Sequence, residues 1–145
     1  MTAWRQAIVR IPPKRRGVHV ITDDVLAAID LDGIGVGMLH CFLRHTSAGL
    51  TINENVSPDV RADMDAWLDR AVPEGAAYFA HVLEGPDDMP AHIKATLTGA
   101  ALTIPIARGR PLLGVWQGIY LCEFRDHGGP RDVVLTAWGD DGRPN

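Results

Sequence analysis

The sequence predicts an α+β fold in one domain, with largely antiparallel or mixed sheets and about three helices. Three observations indicate this class. The 145 residues are enough for one domain with a hydrophobic core, and 46% of them are apolar. Strand-like and helix-like stretches alternate irregularly, without the repeated βαβ order of a parallel sheet. No internal repeat or low-complexity linker divides the chain, so we expect residues 1–145 to form a single unit.

Composition narrows the functional classes. The formal net charge is −4 and the only run of consecutive basic residues is Lys14 to Arg16, which argues against general nucleic-acid binding. No stretch approaches the ~18 consecutive apolar residues of a membrane span, and the start lacks the pattern of a signal peptide. We therefore expect a cytoplasmic protein without a membrane partner. Cys41 and Cys122 lie in apolar strand-like runs and are expected to be free thiols.

The first part of the chain predicts two strands and a short helix. Residues 3–11 alternate between apolar and polar side chains, as an edge strand does, and Pro12 ends the run. Residues 14–17 form a basic turn, and a short strand follows at 18–21. Thr22 is predicted to cap a small helix with two acidic residues in its first turn.

A strand over residues 34–43 leads to a group of polar side chains. The alternation of the pleat places His45 on the continuation of the core-facing side, just beyond the strand end. Thr46 and Ser47 then begin a turn. Their hydroxyl groups suit a bound anion, but ordinary turn chemistry explains them equally well.

The clearest helix begins at Ser57, which is predicted to be its N-cap, followed by proline and an acidic residue. Apolar residues recur along it at helical spacing while charged residues occupy the other positions. The buried face is predicted to contain Val60, Met64, Trp67 and Leu68.

The stretch from His81 to Lys94 brings together two imidazoles, three carboxylates and a helix start. Asp88 is predicted to cap a helix that ends at Gly99, so His92 lies in its opening turn. There the helix dipole favours the neutral imidazole that a metal ion needs. His81 lies eleven residues upstream, across a loop that could fold back. This spacing matches no fixed metal signature, and a capped helix with two surface histidines is the alternative.

The last part of the chain predicts three strands. Pro105 requires the first of them to lie at an edge or to contain a bulge. Residues 112–124 form the longest strand candidate, and Gln117 and Glu123 are polar residues on its apolar face, so they need partners. The final strand is predicted over residues 133–138.

Three blocks of sequence carry a resemblance to a known family. They are Arg44 to Asn55, with the Pro-Asp-Val that follows, His81 to Lys94, and Leu113 to Phe124. In this order they make the chain, from about residue 40 to residue 138, resemble the YjbQ-like family, also called secondary thiamine-phosphate synthase enzyme. The chain departs from the family at Val115, where threonine is usual, and in the loop around His127, so the resemblance assigns His127 no role.

The resemblance implies an α+β homotrimer and a weak thiamine-phosphate synthase activity. This reaction joins a thiazole phosphate to a pyrimidine diphosphate with loss of pyrophosphate, which calls for a divalent cation and fixed hydrogen-bond donors. The candidate metal ligands are His45, His81 and His92. The candidate phosphate-binding residues are Thr46, Ser47, Gln117 and Arg131. The candidates for proton transfer or support of the ligands are Glu84, Asp88 and Glu123.

Two other functions stay open at this point. The divalent cation would be zinc or magnesium/manganese. Three histidines with an open coordination position resemble a catalytic zinc site more than a magnesium site, and this mismatch with a pyrophosphate-releasing synthase keeps open a metal-assisted hydrolase of a small phosphorylated metabolite. A non-catalytic trimer that binds a metal or a ligand is the other alternative. Under every one of these hypotheses the expected partners are a phosphorylated small molecule or metal ion and further copies of the chain.

Overall fold

The computed structural model describes residues 2–142, and within them it contains eight strands and three helices. The strands are β1 Ala3–Ile11, β2 Gly17–Val20, β3 Val36–Leu43, β4 Ala48–Glu54, β5 Ala101–Ala107, β6 Arg110–Pro111, β7 Gln117–Glu123 and β8 Arg131–Asp140. The helices are α1 Thr22–Ala28, α2 Pro58–Ala71 and α3 Asp88–Thr98.

The strands form two sheets in which every neighbouring pair is antiparallel. The larger sheet has the order β1-β8-β3-β5-β6, and the smaller has the order β2-β7-β4. The predicted single-domain α+β fold is confirmed. So is the edge position of β1, whose Trp4 pairs with Trp138 across the ladder and stacks on it with ring centroids 5.4 Å apart.

The main core lies between the two sheets. Leu39, Cys41 and Leu43 face it from β3, as the predicted pleat requires, and Ile119 and Leu121 face it from β7. The other side of β7 packs against the helices, where its Cys122 meets Leu68 of α2 and Ala91 of α3 in a second cluster. The smaller sheet is therefore a middle layer, buried on both faces.

The buried face predicted for α2 is wrong at one position. Leu68 is buried, but Trp67 is 65% exposed, and Val60 and Met64 are only half-buried. The residues that face the sheet are four positions apart, at 60, 64, 68 and 72. Trp67 lies about 100° away from Leu68 around the helix axis and so points to solvent.

The three predicted N-caps make no side-chain capping bond. Thr22 lies inside α1, and its Oγ1 accepts from the Ile119 N–H at 2.9 Å. Ser57 does occupy the N-cap position of α2, but its hydroxyl donates to the Asp59 carboxylate. Asp88 is the first residue of α3 rather than its cap, and its carboxylate points into the protein.

The strand predicted over residues 112–124 is shorter than expected. It begins at Gln117, because the Gln117 side-chain oxygen accepts from the Gly114 N–H at 2.7 Å and closes a turn there. Cys41 and Cys122 are free and buried, which confirms the prediction for both. In the described residues, no helix has the length and apolar character needed to cross a membrane.

Candidate metal centre

The beginning of α3 and the loop before it bring three possible metal ligands together. Asp88 and His92 are one helical turn apart and so share a face of α3, while His81 comes from the loop that folds back over it. The Nε2 atoms of His81 and His92 lie 2.6 and 3.2 Å from Asp88 Oδ2. One ligand atom from each of the three residues lies within 4.8 Å of the other two.

A backbone carbonyl sets the tautomer of His92. Its Nδ1 is 2.8 Å from the Thr46 carbonyl oxygen, which can only accept, so Nδ1 carries a hydrogen. A neutral ring then points the lone pair of Nε2 at Asp88 Oδ2. Two acceptors 3.2 Å apart repel each other unless a proton or a cation lies between them. Metal-binding histidines characteristically donate their other ring N–H to a carbonyl or carboxylate in this way.

Asp88 is held as a buried carboxylate. Its side chain is 2% exposed, and its Oδ1 accepts from Arg125 Nη1 at 2.6 Å. Burial alone would raise the pKa of Asp88. The hydrogen bond from His81, the neighbouring His92 and the positive charge of Arg125 together outweigh burial and lower this pKa below its ordinary value. Asp88 therefore presents a charged Oδ2 to the two imidazoles.

Arg125 clamps the loop to the end of β7. Its Nε donates to Asp87 Oδ2 at 3.0 Å, and its Nη2 donates to the Glu84 carbonyl at 2.8 Å. Asp87 also accepts from the Asp126 N–H at 2.9 Å. Arg125 was not among the residues predicted from the sequence. The available signal was that a buried carboxylate such as Asp88 requires a cationic partner, but nothing local indicates which cation it is.

Seven of the predicted site residues lie outside this group, and three of these, His45, Gln117 and Glu84, each have separate surroundings. His45 Nε2 accepts from the Asp132 N–H at 2.8 Å and lies outside the group of possible ligands, which contains two histidines and one aspartate. Gln117 is occupied with its own turn, at the end of β7 opposite to Glu123, roughly 20 Å away along the seven-residue strand. Glu84 is exposed and contacts Arg125 through its backbone carbonyl rather than its carboxylate.

Glu123, Arg131 and Ser47 form a buried polar cluster of their own. Arg131 donates from Nε to Glu123 Oε1 at 2.7 Å and from Nη2 to Oε2 at 2.6 Å, and Nη2 also reaches Ser47 Oγ at 3.0 Å. The Glu123 side chain is fully buried and that of Arg131 is 5% exposed. A Cβ atom at Gly128 would lie 2.5 Å from Glu123 Oε1, so only glycine lets this loop close over the pair.

A small pocket adjoins the metal-ligand group. It has a volume of about 320 Å³, and His81 forms part of its wall. Most of the remaining lining is apolar and comes from Phe79, Val82, Pro86 and Met89. The pocket therefore offers a small apolar space beside a possible metal ion, a combination typical of sites for small molecules.

Comparisons with known proteins give one consistent result. The model of the family described as UPF0047 protein YjbQ-like matches residues 7–140. The UPF0047 protein YjbQ of Salmonella typhimurium is 47% identical over 138 residues, which cover 94% of this chain and 99% of the relative. The protein of the same name from Escherichia coli O157:H7 is 44% identical with the same coverage.

Solved structures share the fold. A YbjQ-like protein of unknown function from Sulfolobus solfataricus superposes with a TM-score of 0.86 over 97% of this chain and 100% of that one, at 23% identity. A conserved hypothetical protein from Thermus thermophilus gives a TM-score of 0.76 at 34% identity, covering 88% of this chain and 96% of that one.

Proposed function

The chain belongs to the UPF0047 YjbQ-like family, and we propose that it is a metal-dependent enzyme acting on a small phosphorylated molecule. One observation carries the proposal. The Thr46 carbonyl fixes the His92 tautomer so that the lone pair of Nε2 faces a buried carboxylate oxygen, with His81 beside it. Such a set of facing acceptors needs a cation to be stable in its neutral-imidazole form.

The distances suit a metal ion. With metal–ligand bonds of ~2.0–2.1 Å, two ligands of a tetrahedral zinc site lie roughly 3.3 Å apart. The separation between His92 Nε2 and Asp88 Oδ2 is 3.2 Å. The shorter 2.6 Å separation between His81 and Asp88 is that of a hydrogen bond, so exchange of its proton for a metal would widen it slightly.

The kinds of donor favour hydrolysis. Two imidazoles and one carboxylate form a nitrogen-rich set that suits zinc, and also manganese, whereas magnesium prefers oxygen ligands and water. His81, Asp88 and His92 would hold the metal and leave at least one coordination position open. A metal bound there would supply a water activated for attack on a phosphate ester, with its pKa lowered to ~7. A phosphate monoester is therefore the substrate class we favour.

The synthase-type reaction is the second candidate. It joins a thiazole phosphate to a pyrimidine diphosphate with loss of pyrophosphate, and a cation beside the leaving group would stabilise the developing charge. The observation that favours it is the apolar pocket of about 320 Å³ next to His81, which suits one flat ring. Hydrolysis of a simple phosphate ester does not require such a pocket.

Zinc titration tests the metal site. We expect His81→Ala and His92→Ala each to weaken zinc binding at pH 7 by about 100-fold or more, because loss of an outer hydrogen-bond partner alone costs ~10–100-fold. His127→Ala is the matched control, since His127 is exposed and lies outside the ligand group. Near pH 5 the parent should also bind zinc more weakly, because protons compete with the metal for the imidazoles. Unchanged zinc affinity in both alanine variants would disprove the site.

Product analysis separates the candidate functions. Zinc- or manganese-loaded parent is incubated either with a panel of phosphate monoesters or with thiazole phosphate plus pyrimidine diphosphate. Release of inorganic phosphate from an ester, lost in His92→Ala, supports the hydrolase. Release of pyrophosphate with formation of the joined product, lost in the same variant, supports the synthase. If the metal-loaded parent releases neither phosphate nor pyrophosphate, the result supports the hypothesis of a non-catalytic metal-binding protein.

We also propose that the protein works as a homotrimer in the cytoplasm. The edge strand β1 leaves Trp4 68% and Ile8 56% exposed, and an open apolar edge is covered most simply by another copy of the chain. Sedimentation should give three times the mass of one chain, and a single-chain mass would contradict this.

Glu84→Gln should preserve the trimer and lower turnover if Glu84 transfers protons.

A further inference from the structure

A basic groove lies on the outer edge of the smaller sheet. Its walls are β2, residues 14–16 that precede it, and the first two turns of α2, and its volume is about 720 Å³. This size is within the range of small-molecule sites. The groove shares no lining residue with the pocket beside His81. It is thus a separate feature from the proposed metal centre.

Positive charge predominates in the groove although the whole chain carries a formal net charge of −4. The cationic lining residues are Lys14, Arg15, Arg16 and Arg61, and Asp65 is the one carboxylate among the lining residues. Burial and the neighbouring charge of Asp69 raise the pKa of Asp65 above its ordinary value. A concave wall of one charge sign focuses the field and attracts counter-ions.

Most of this positive charge lacks an internal partner. Arg16 is paired, with Glu74 at 2.8 Å and Asp126 at 3.4 Å. Within residues 2–142, Lys14, Arg15 and Arg61 form no ion pair, and Lys14 is half-buried.

Arg61 has only neutral acceptors. Its Nη1 lies 3.4 Å from both the Asn55 carbonyl oxygen and the Tyr120 hydroxyl, which are long contacts. They position the guanidinium at the groove without neutralising it. A planar guanidinium with unused N–H groups suits the paired oxygens of a phosphate.

The basic segment is held in place before any ligand binds. His19 Nε2 lies 2.8 Å from the Arg15 carbonyl oxygen, a hydrogen bond that ties the segment to β2. The chain turns into β2 at Gly17, whose φ of +145° is unfavourable for other residues. A preorganised segment loses less conformational entropy when it binds.

We propose that this groove binds a small multiply charged anion, a free or esterified phosphate, through Lys14, Arg15 and Arg61. The site lies outside the metal centre and needs no metal, so it does not rest on the proposed enzymatic function. Its shape as a single cavity in an acidic protein favours a small molecule over a nucleic acid, which would need an extended basic surface.

The test uses isothermal titration with inorganic phosphate, pyrophosphate and a sugar phosphate, in the presence of EDTA. We expect the Lys14→Gln/Arg15→Gln double variant to bind pyrophosphate at least about tenfold more weakly than the parent, because loss of one charge-assisted hydrogen bond has an effect of this size. Arg61→Gln should act in the same direction. Both positions of the double variant lie in a connecting segment, so thermal melting should show that its fold is intact.

Arg70→Gln is the matched control, since it removes the same charge from α2 outside the groove. It should leave pyrophosphate affinity unchanged. His92→Ala should also leave it unchanged, which separates failure of the metal site from failure of this one. Tighter binding of the sugar phosphate than of free phosphate would identify an ester as the ligand, and the reverse would identify the free anion. No binding by the parent, or equal losses in Arg70→Gln and the double variant, would overturn the proposal.

Discussion

The buried pair of Glu123 and Arg131 gives a quantitative prediction for Glu123→Gln. The substitution keeps the shape of the side chain but leaves the guanidinium charged, because arginine is not deprotonated in proteins. The new amide NH₂ group also faces a donor in either orientation. One Glu123 oxygen accepts from Arg131, and the other, Oε2, accepts from Arg131 and from the Arg125 N–H at 3.1 Å. Breaking a buried pair by removing one partner costs about 3–5 kcal/mol.

The prediction is measured by urea unfolding at fixed protein concentration with EDTA present. For a chain of this length, a loss of about 3–5 kcal/mol in the free energy of unfolding corresponds to a melting temperature roughly 10–20 °C lower. Ser47→Ala should cost only about 1 kcal/mol, because Arg131 keeps both bonds to Glu123. Arg10→Gln breaks an exposed arginine–carboxylate pair and should not change the urea midpoint. A loss below about 1 kcal/mol for Glu123→Gln would refute the structural role of the pair.

Three further predictions follow from burial. Burial lowers the pKa of His45, so the folded state favours the neutral ring. The resulting contribution to the free energy of unfolding is complete above the unfolded pKa of ~6.5, and it is lost as pH falls through the pKa of the folded state. His45→Gln should therefore flatten the acid side of the stability profile measured by urea unfolding, and an unchanged profile would contradict this. Trp67→Ala should cost less than about 1 kcal/mol, against the ~3–5 kcal/mol of a buried tryptophan, in the same unfolding assay. Burial raises the pKa of Cys41 to about 11 and of Cys122 to about 12, so mass spectrometry should detect alkylation at pH 8 only after unfolding.

Elements with one exposed face were predictable from the sequence. In β1 the exposed fraction alternates residue by residue, and the alternation of side chains over residues 3–11 shows the same period. β7 is different because it is the middle strand of a middle layer. Its residues from Gly118 onward are all buried, so no alternation marks where it begins, and the prediction placed its start five residues too early.

The helix α2 shows why a correct helix can have an incorrect face. Trp67 and Leu68 are adjacent and both apolar, so a spacing of three and a spacing of four select different buried stripes. The choice depends on how the helix lies against β2 and β7, which is a tertiary property. The large apolar area of tryptophan favoured burial in the sequence analysis, whereas the packing placed the smaller leucine against the sheet.

The approach of His81 to His92 was predictable, and the role of Asp88 was only partly so. The two rings are 5.3 Å apart, as expected from a fold-back loop and a helix start. Asp88 has the residue type and position of an N-cap, which explains that prediction. Its carboxylate turns inward instead, because Arg125, 37 residues later in the chain, pairs with it at 2.6 Å. No local pattern indicates a contact across such a separation.

Polar contacts connect the proposed metal centre to the core from the side of β7. Arg125 joins Asp88 to the end of this strand through its side chain, and its own N–H donates to Glu123. Glu123 in turn holds Arg131 of β8 in the larger sheet. The position of the Asp88 carboxylate is therefore determined by both sheets rather than by the loop alone, and such support is what a precise ligand geometry requires.

The opposite side of the centre is fixed by two adjacent residues. The carbonyl of Thr46 accepts from His92 Nδ1, and the hydroxyl and carbonyl of Ser47 accept from the buried arginine of β8. These contacts leave His92 Nε2 directed at Asp88 Oδ2, and His81 Nε2 approaches the same oxygen from the loop. A cation between His92 Nε2 and Asp88 Oδ2 would remove the repulsion between these two acceptors. It would keep the contacts made by Thr46 and Arg125 and would replace the proton that His81 shares with Asp88.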